Sequence, residues 1–406
     1  MISFLENEFF SKVMRFLGME PSEKVLQHDI QRSSISLIAI GAALWWLLLA
    51  VCSKIPLSKL QLTWSLESYI VLWLFCPICI LSGLAANSSC SPVVPTEIRN
   101  EEIYPRSSRI VFYLCVMGFL IQSLFRLPPA LAPDPNEARL LWGFKYLHVS
   151  TEILIRTTVL ICLGNVLSRG KVRLHDWVQV SIAMLYTILV VSRSFLLEIF
   201  FYVGLTSFLL SFRLEKKALI LVKVAAGLIA VIVLFVVYGE WRQGSSFNIS
   251  SYGQMLNQSR SVAWIFGYLL VNFDNLALII MDSYKNYSLT NVFGPLLQTL
   301  QITPFQSLND YPYVGAFNLG TALRSYFLDF GPWIGAAIFA VFWTSTLALF
   351  RFSRSKSVLG SLFLLVAYFA FCLPITERLE QPPYLFPLLL IFLIGRLALV
   401  KNVKFR

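Results

Sequence analysis

Residues Ser34–Cys52 read SISLIAIGAALWWLLLAVC, a run of 19 residues without a charged side chain. A helix rises about 1.5 Å per residue, so roughly 20 apolar residues are needed to cross the hydrocarbon core of a bilayer. This stretch therefore predicts a membrane-spanning helix. The whole chain has a similar character, because 57% of its 406 residues are hydrophobic and 14% are charged. A water-soluble globular domain carries about 25% charged residues, so the composition excludes that class.

Ten apolar stretches divide the chain and predict an all-α fold, a polytopic integral membrane protein with about ten transmembrane helices. The fifth and sixth stretches are short and share a tight junction at Arg193, which indicates a helical hairpin. We expect no cleavable signal peptide, because a fairly polar segment precedes the first stretch. The ten stretches are residues 34–52, 68–86, 109–127, 146–167, 177–191, 195–212, 218–238, 332–350, 358–374 and 383–400.

The positions of lysine and arginine predict the orientation, because cytoplasmic loops are enriched in both. With the N-terminus inside, 21 of the 33 basic residues fall on one set of loops and on the two termini. We therefore expect both termini in the cytoplasm. The net charge of +11 is then mostly an orientation signal, and no nucleic-acid partner is expected.

This topology divides the chain into segments of different character. We expect residues 1–33 to form a cytoplasmic amphipathic segment, 34–238 to hold spans one to seven, and 239–331 to form a large outer loop with short helices. Residues 332–400 would hold spans eight to ten, and 401–406 would be a cytoplasmic tail. Within the loop, polar residues interrupt the apolar stretch 263–281, so we expect an outer-face helix or a re-entrant element there.

Several kinds of catalytic motif are missing from the sequence. It contains no P-loop, no dinucleotide fingerprint, no HExxH and no DxD pair, and its three histidines are widely separated. We therefore expect neither a metal nor a cofactor. Cys76 and Cys79 form a CxxC pair within the second predicted span, where packing is a better account than redox or zinc chemistry.

Ionisable residues inside predicted spans are the first candidates for function, because burying an unpaired charge in lipid is costly. Arg193 lies at the outer turn between spans five and six, and Glu198 lies about one helical turn deeper. These two residues either serve function, or they satisfy each other or snorkel towards the membrane surface. Glu152 and Arg156 are four residues apart in span four, and this spacing predicts a structural ion pair.

Cations and polar aromatic residues in the outer loop form the second group of candidates. Arg242, Arg260, Lys285 and Arg324 lie in or next to this loop, and an arginine fork can bind two phosphate oxygens at once. Solvation alone would also explain each of them. Tyrosine and tryptophan residues alternate there with Asn, Gln and Ser, a mixture that suits both a sugar-binding cleft and an interfacial aromatic belt.

The stretch 317–335, FNLGTALRSYFLDFGPWIG, precedes the eighth predicted span. Thr321 and Arg324 are three residues apart and would share one helical face, as would Tyr326 and Asp329. Asp329 is followed closely by a Gly-Pro pair, so its carboxylate is either the N-cap of the eighth span or a catalytic group. One residue can serve both roles.

With these residues, the chain resembles the oligosaccharide repeat-unit polymerase family, the O-antigen or Wzy-type polymerases. The overall plan of about ten spans with one dominant outer loop resembles that family along the whole chain. The residue-level likeness is confined to the stretch before the eighth span and a few arginines. It rests on Asn318, Thr321, Tyr326, Asp329, Phe330, Gly331, Gly335, Arg193 and Arg242.

The resemblance implies a glycosyltransferase at the periplasmic face of the bacterial inner membrane. Such an enzyme joins repeat units carried on undecaprenyl pyrophosphate, and its partners would be these lipid-linked glycans, membrane lipids, and a chain-length regulator and flippase of the same pathway. We expect catalytic roles for Asp329, Arg242 and Arg193, with Asp274, Asp310 and Glu377 as the other candidates for a general base. The residues expected to bind pyrophosphate or glycan are Arg324, Arg260, Tyr252, Asn272, Asp274, Thr321 and Tyr326.

Other classes of protein stay open. An O-antigen ligase, which transfers a finished glycan to the lipid A core, has a similar architecture. A flippase or transporter usually contains paired repeats or broken helices, and neither is evident here. A eukaryotic or archaeal membrane protein is a further alternative, because Asn248, Asn257 and Asn286 lie in Asn-x-Ser sequons.

Overall fold

The computed structural model describes residues 26–54, 63–88, 105–213, 233, 260–281, 290–299, 321–353, 355–375 and 382–404. In this part of the chain the regular elements are helices, so the prediction of an all-α fold is confirmed there. The α-helices are α1 (Leu26–Cys52), α2 (Leu66–Ser88), α3 (Pro105–Phe125), α4 (Pro135–Leu141), α5 (Lys145–Arg169), α6 (Leu174–Leu189), α7 (Arg193–Arg213), α8 (Arg260–Met281), α9 (Thr290–Thr299), α10 (Arg324–Phe330), α11 (Pro332–Ala348), α12 (Lys356–Cys372) and α13 (Pro382–Lys404).

Within the described residues, five segments are long and apolar enough to cross a membrane, as in an α-helical membrane protein. Shorter apolar segments lie in α7, α8, α12 and α13. Nine of the ten predicted spans overlap a described helix, whereas span 218–238 lies outside the described residues except for Val233. Residues 1–25 also lie outside them, and residues 26–33 belong to α1. The five long segments are Ser34–Cys52, Leu66–Ser88, Arg109–Leu131, Tyr146–Arg169 and Pro332–Phe352.

Small residues bring neighbouring helices into close contact, as is common between helices in lipid. A Cβ added to Gly164 on α5 would lie 2.5 Å from the Ser357 carbonyl oxygen on α12. At the same crossing, the Ser361 hydroxyl donates a 2.9 Å hydrogen bond to the Leu160 carbonyl oxygen. The α5–α12 contact therefore depends on the absence of a side chain at position 164.

Aromatic rings join α1, α2 and α8. The buried Trp46 on α1 packs against Phe75 on α2 at a ring-centroid distance of 3.9 Å, and against Phe273 on α8 at 5.0 Å. Its indole Nε1 also donates to the Leu72 carbonyl oxygen at 3.1 Å. The stretch 263–281 thus lies in a helix, α8, that packs on the first two spans.

The ends of several helices meet at one end of the bundle. The Trp333 indole at the start of α11 donates a 3.0 Å hydrogen bond to the Glu67 carboxylate at the start of α2. The Asn272 side-chain amide on α8 donates at 3.0 Å to the Ile375 carbonyl oxygen, just after α12. Lys54, just after α1, lies 3.9 Å from the Asp274 carboxylate on α8. We call this end of the bundle, formed by Lys54, Glu67, Trp333 and Ile375, the polar end.

Candidate functional site

Helix α8 places two of the predicted binding residues, Asn272 and Asp274, inside the protein at the polar end. Both side chains are buried, and so is that of Asn275. An Asp274 carboxylate oxygen accepts a 2.6 Å hydrogen bond from the Trp64 indole, which precedes α2. Because other parts of the chain bind these polar groups, an otherwise apolar helix can carry them at this position.

Lys54 completes a small charged and aromatic cluster with Asp274. Its ammonium nitrogen lies 3.1 Å from the centroid of the Trp64 ring and 5.6 Å from that of Tyr69. Burial lowers the pKa of Lys54 from 10.5 to about 8, and the Asp274 carboxylate partly opposes this change. Sequence analysis missed this lysine. A charged residue so soon after the first apolar stretch was the signal that could have identified it.

Asp329 lies at the end of α10 with its side chain fully buried, and its carboxylate binds the start of α9. It accepts hydrogen bonds from the Asn291 backbone N–H at 3.1 and 3.2 Å, from the Asn291 side-chain amide at 2.6 Å and from the Val292 N–H at 2.9 Å. These are groups of the first helical turn, which have no partner within their own helix. Asp329 therefore caps α9.

The alternative in which Asp329 caps the eighth span is wrong. The N-cap of α11 is Gly331, which makes no side-chain cap hydrogen bond. Gly331 has φ 76°, a conformation that glycine adopts without steric cost. Asp329 does cap a helix, but its carboxylate binds Asn291 at the start of α9, which lies 38 residues earlier in the chain.

Thr321, Arg324 and Tyr326 are brought together with Asp329, and all four side chains are buried. The segment is anchored next to α12, because the Ala322 N–H donates a 2.8 Å hydrogen bond to the Leu373 carbonyl oxygen. The Tyr326 ring packs edge-on against Phe339 of α11 at 5.3 Å. The predicted binding stretch is thus part of the packed interior at the polar end.

A buried ion pair joins α5 to α7. The Arg156 Nε donates to the Glu198 carboxylate at 2.9 Å, and its Nη1 donates to the Glu152 carboxylate at 3.3 Å. The guanidinium carbon lies 4.0 Å from the centroid of the Phe195 ring and 4.6 Å from that of Tyr384 on α13. The predicted Glu152–Arg156 pair is confirmed. The Arg156–Glu198 pair was not predicted, and the pairing of Glu198 with Arg193 stays a prediction, because the Arg193 side chain lies outside the described part of the structure.

Hydrogen-bonding groups extend this ion pair in two directions. The Tyr202 hydroxyl donates a 2.9 Å hydrogen bond to Glu198. On the other side, His148 Nε2 lies 3.8 Å from the Glu152 carboxylate, and the Tyr186 hydroxyl lies 3.5 Å from His148 Nδ1. Because Arg156 and Glu198 are 3% and 0% exposed, the centre of this network lies in the packed interior, where it joins α5 to α7.

Arg193 begins α7 directly after an unusual turn. Val191 has φ 58°, a conformation that is rare for a β-branched residue. The Ser192 N–H donates to the Thr187 carbonyl oxygen and the Val191 N–H to that of Ile188, which closes α6 with a Schellman motif. The Arg193 side chain itself lies outside the described part of the structure.

Other predicted site residues also lie outside the described part. Arg260 begins α8, but its side chain is not among those described. Arg242, Tyr252, Asp310 and Glu377 fall in segments outside the described residues.

The described residues contain no group of three or more His, Cys, Asp or Glu side chains that could hold a metal ion. Their arrangement at the polar end provides buried carboxylates that organise helices, and one half-buried lysine beside aromatic rings.

A comparison of the chain with protein-family models, with curated proteins and with solved structures finds no match in any of the three.

Proposed function

We propose that this protein is a membrane glycosyltransferase that polymerises oligosaccharide repeat units carried on undecaprenyl pyrophosphate. The observation that carries the proposal is the placement of α8, α9 and α10. These helices belong to the long polar segment 239–331 and pack at the polar end, where Asp274 and Asp329 are buried. Polar groups concentrated at one end of an apolar bundle support chemistry at one membrane surface.

We propose ten spans with both termini in the cytoplasm, so that the polar end faces the periplasm of a bacterial inner membrane. In this topology α1 and α12 would end on the periplasmic side, whereas α2, α11 and α13 would begin there. The contacts between Lys54 and Asp274, between Glu67 and Trp333, and between Asn272 and Ile375 are consistent with that alternation.

In the proposed reaction, the growing glycan leaves its lipid pyrophosphate and joins a hydroxyl of the incoming lipid-linked unit. The bond between the sugar and the pyrophosphate breaks, a glycosidic bond forms, and undecaprenyl pyrophosphate is released. We propose that Arg193, Arg242 and Arg324 stabilise the leaving pyrophosphate, with Arg260 beside them. Cations next to a departing anion lower the barrier by electrostatic stabilisation.

The contacts of Asp329 support a positioning role for this residue. Its carboxylate already accepts hydrogen bonds from three N–H groups at the start of α9. A general base needs a lone pair directed at the substrate hydroxyl. We therefore propose Asp310 and Glu377 as the first carboxylates to test as the base. Tyr252, Asn272, Thr321 and Tyr326 would shape the glycan site directly or through α8 and α10.

The proposal is tested by incubating the purified protein in detergent with lipid-linked repeat units. A ladder of longer glycans supports a polymerase. Transfer of one glycan to an added lipid A core acceptor, without a ladder, identifies a ligase. If no glycan is joined but the protein moves the lipid-linked unit across a liposome membrane, the chain is a transporter.

The Arg242→Ala variant links the reaction to the proposed site. We expect it to abolish the ladder while the amount and the unfolding temperature of the protein stay unchanged. Arg351→Ala is the matched control, because Arg351 lies after α11 at the end opposite to Trp333. Wild-type chain lengths from Arg242→Ala would remove this residue from the mechanism.

A further inference from the structure

A groove between α1 and α2 lies next to the cluster of Lys54 and Asp274. It encloses about 210 Å³, several times the roughly 30 Å³ that one water molecule occupies in the liquid. Aromatic and aliphatic side chains form most of its wall. We call it the α1–α2 groove, and its lining includes Trp46, Val51, Lys54, Trp64, Trp73 and Cys76.

The groove has a buried floor and an open side. Trp46 is buried at the floor, whereas Val51 and Trp73 are 51% and 52% exposed. Both exposed residues lie within segments that are long and apolar enough to cross a membrane, Ser34–Cys52 and Leu66–Ser88. The open side of the groove therefore faces the hydrocarbon region, where lipid chains are the available occupants.

Lys54 lies at the mouth of the groove, two residues beyond the end of the apolar segment Ser34–Cys52. A lysine in this position lies at the depth of the lipid headgroups. Burial lowers the pKa of Lys54 to about 8. A phosphate beside Lys54 would favour its charged form, as an opposite charge within a few ångströms does.

We propose that the α1–α2 groove binds a membrane lipid, with a hydrocarbon chain between the two helices and the headgroup phosphate against Lys54. The proposal goes beyond the glycosyltransferase function and does not depend on it. A chain in the groove would cover the exposed faces of Val51 and Trp73. The indole rings offer flat apolar surfaces to it, and the lysine gives the site its preference for an anionic headgroup.

The Asp274 carboxylate would repel a bound phosphate. A variant that lacks this charge therefore tests whether the groove binds an anionic headgroup. It lies 3.9 Å from the Lys54 nitrogen and accepts a hydrogen bond from Trp64. Asp274→Asn keeps an oxygen that accepts from Trp64 and removes the negative charge. We expect this variant to bind a phosphate lipid more tightly than the wild type does.

The experiment uses the full chain, purified and delipidated in detergent, with phosphatidylglycerol that carries a photoreactive diazirine on one acyl chain. Cross-linked peptides are identified by mass spectrometry, and the acylation of Lys54 by an amine reagent is followed in parallel. The competitors are unlabelled phosphatidylglycerol, dioleoylglycerol, which lacks phosphate, and inorganic phosphate. We expect cross-links in α1 and α2, protection of Lys54, and competition by phosphatidylglycerol alone.

Variants test separately the binding of the hydrocarbon chain and the binding of the headgroup phosphate. Val51→Trp should block the open side and abolish the cross-links in α1 and α2, whereas Leu48→Trp, an exposed position on the same helix outside the groove lining, should not. Lys54→Gln should weaken phosphatidylglycerol binding at least roughly tenfold, the loss expected for one hydrogen bond to a charged group, and Lys54→Arg should retain it.

Three results would overturn the proposal. Equal competition by dioleoylglycerol would show that the phosphate does not matter, and equal protection of Lys54 by inorganic phosphate would show that the hydrocarbon chain does not. Cross-links spread evenly over all exposed helices would show that the groove is not a site. If Val51→Trp does not fold, the proposal is tested in the wild type by whether phosphatidylglycerol protects Lys54 from acylation.

Discussion

The guanidinium of Arg156 on α5 and the carboxylate of Glu198 on α7 form a 2.9 Å hydrogen-bonded ion pair inside the helix bundle. The two residues are 42 positions apart in the chain, and rings from α7 and α13 lie over the guanidinium. The pair and these rings link α5, α7 and α13.

Removing one member of the Arg156–Glu198 pair should destabilise the protein strongly. Arg156→Met or Glu198→Met leaves a buried charge without its main partner, which costs about 3–5 kcal/mol. The double variant Arg156→Met/Glu198→Met should lose less stability than the sum of the two single losses. The measurement is unfolding in detergent, followed as a double-mutant cycle. Additive single effects would mean that the two side chains do not interact.

Truncating Asp329 should loosen the start of α9. Asp329→Ala leaves the Asn291 and Val292 N–H groups without their carboxylate partner, a loss of about 1–3 kcal/mol. Hydrogen exchange at these two amides should rise while exchange in α5 stays unchanged. Asn291→Ala is the milder control, because it removes only the side-chain hydrogen bond.

The Asp329→Asn variant distinguishes a cap from a base. An asparagine oxygen still accepts from the α9 amides but cannot accept a proton from the substrate. If Asp329 positions α9, this variant should retain polymer formation and the protection of Asn291 and Val292. If polymer formation is lost completely while the α9 amides stay protected from hydrogen exchange, Asp329 acts as the general base.

Lys54 should react with acylating reagents at a lower pH than an ordinary lysine, because burial lowers its pKa to about 8. An unfolded lysine holds its proton up to a pKa of about 10.5, so the unfolded state binds more protons than the folded state between these two values. Stability should therefore rise as the pH increases from about 8 to 10.5. Both effects are read from the labelling rate and the unfolding temperature across this range.

The Asp274→Asn variant is the control for this pH dependence. The Asp274 carboxylate raises the pKa of Lys54, so its removal should shift the onset of labelling to a still lower pH. A labelling profile in the wild type that matches that of a free lysine would contradict the burial of the ammonium.

Gly335→Ala should separate α10 from α11. A Cβ at this position would lie 2.6 Å from the Tyr326 carbonyl oxygen, so the backbone must shift. Such overpacking costs about 1–3 kcal/mol. Gly41→Ala on α1 is the matched control, because nothing lies within 4 Å of the added Cβ. It should be neutral or stabilise its helix by up to about 1 kcal/mol. Equal unfolding temperatures for the two variants would contradict the close contact.

Hydropathy was enough to predict helices, because the apolar character of a stretch is a local property. Nine of the ten predicted spans overlap described helices, and the apolar stretch with Asn272 and Asp274 forms a helix. The Glu152–Arg156 pair was also predictable, because both residues lie on one helix with a fixed spacing.

The amino-acid sequence alone predicts a bundle of apolar helices with few charged residues, because each helix needs only its own residues to satisfy its backbone in lipid. The groups that the buried charges contact become visible only in the folded protein. Glu198 pairs with Arg156, Asp329 caps α9 rather than α11, and Lys54 meets Asp274. These contacts depend on which helix faces meet, and that choice follows from packing between segments far apart in the chain.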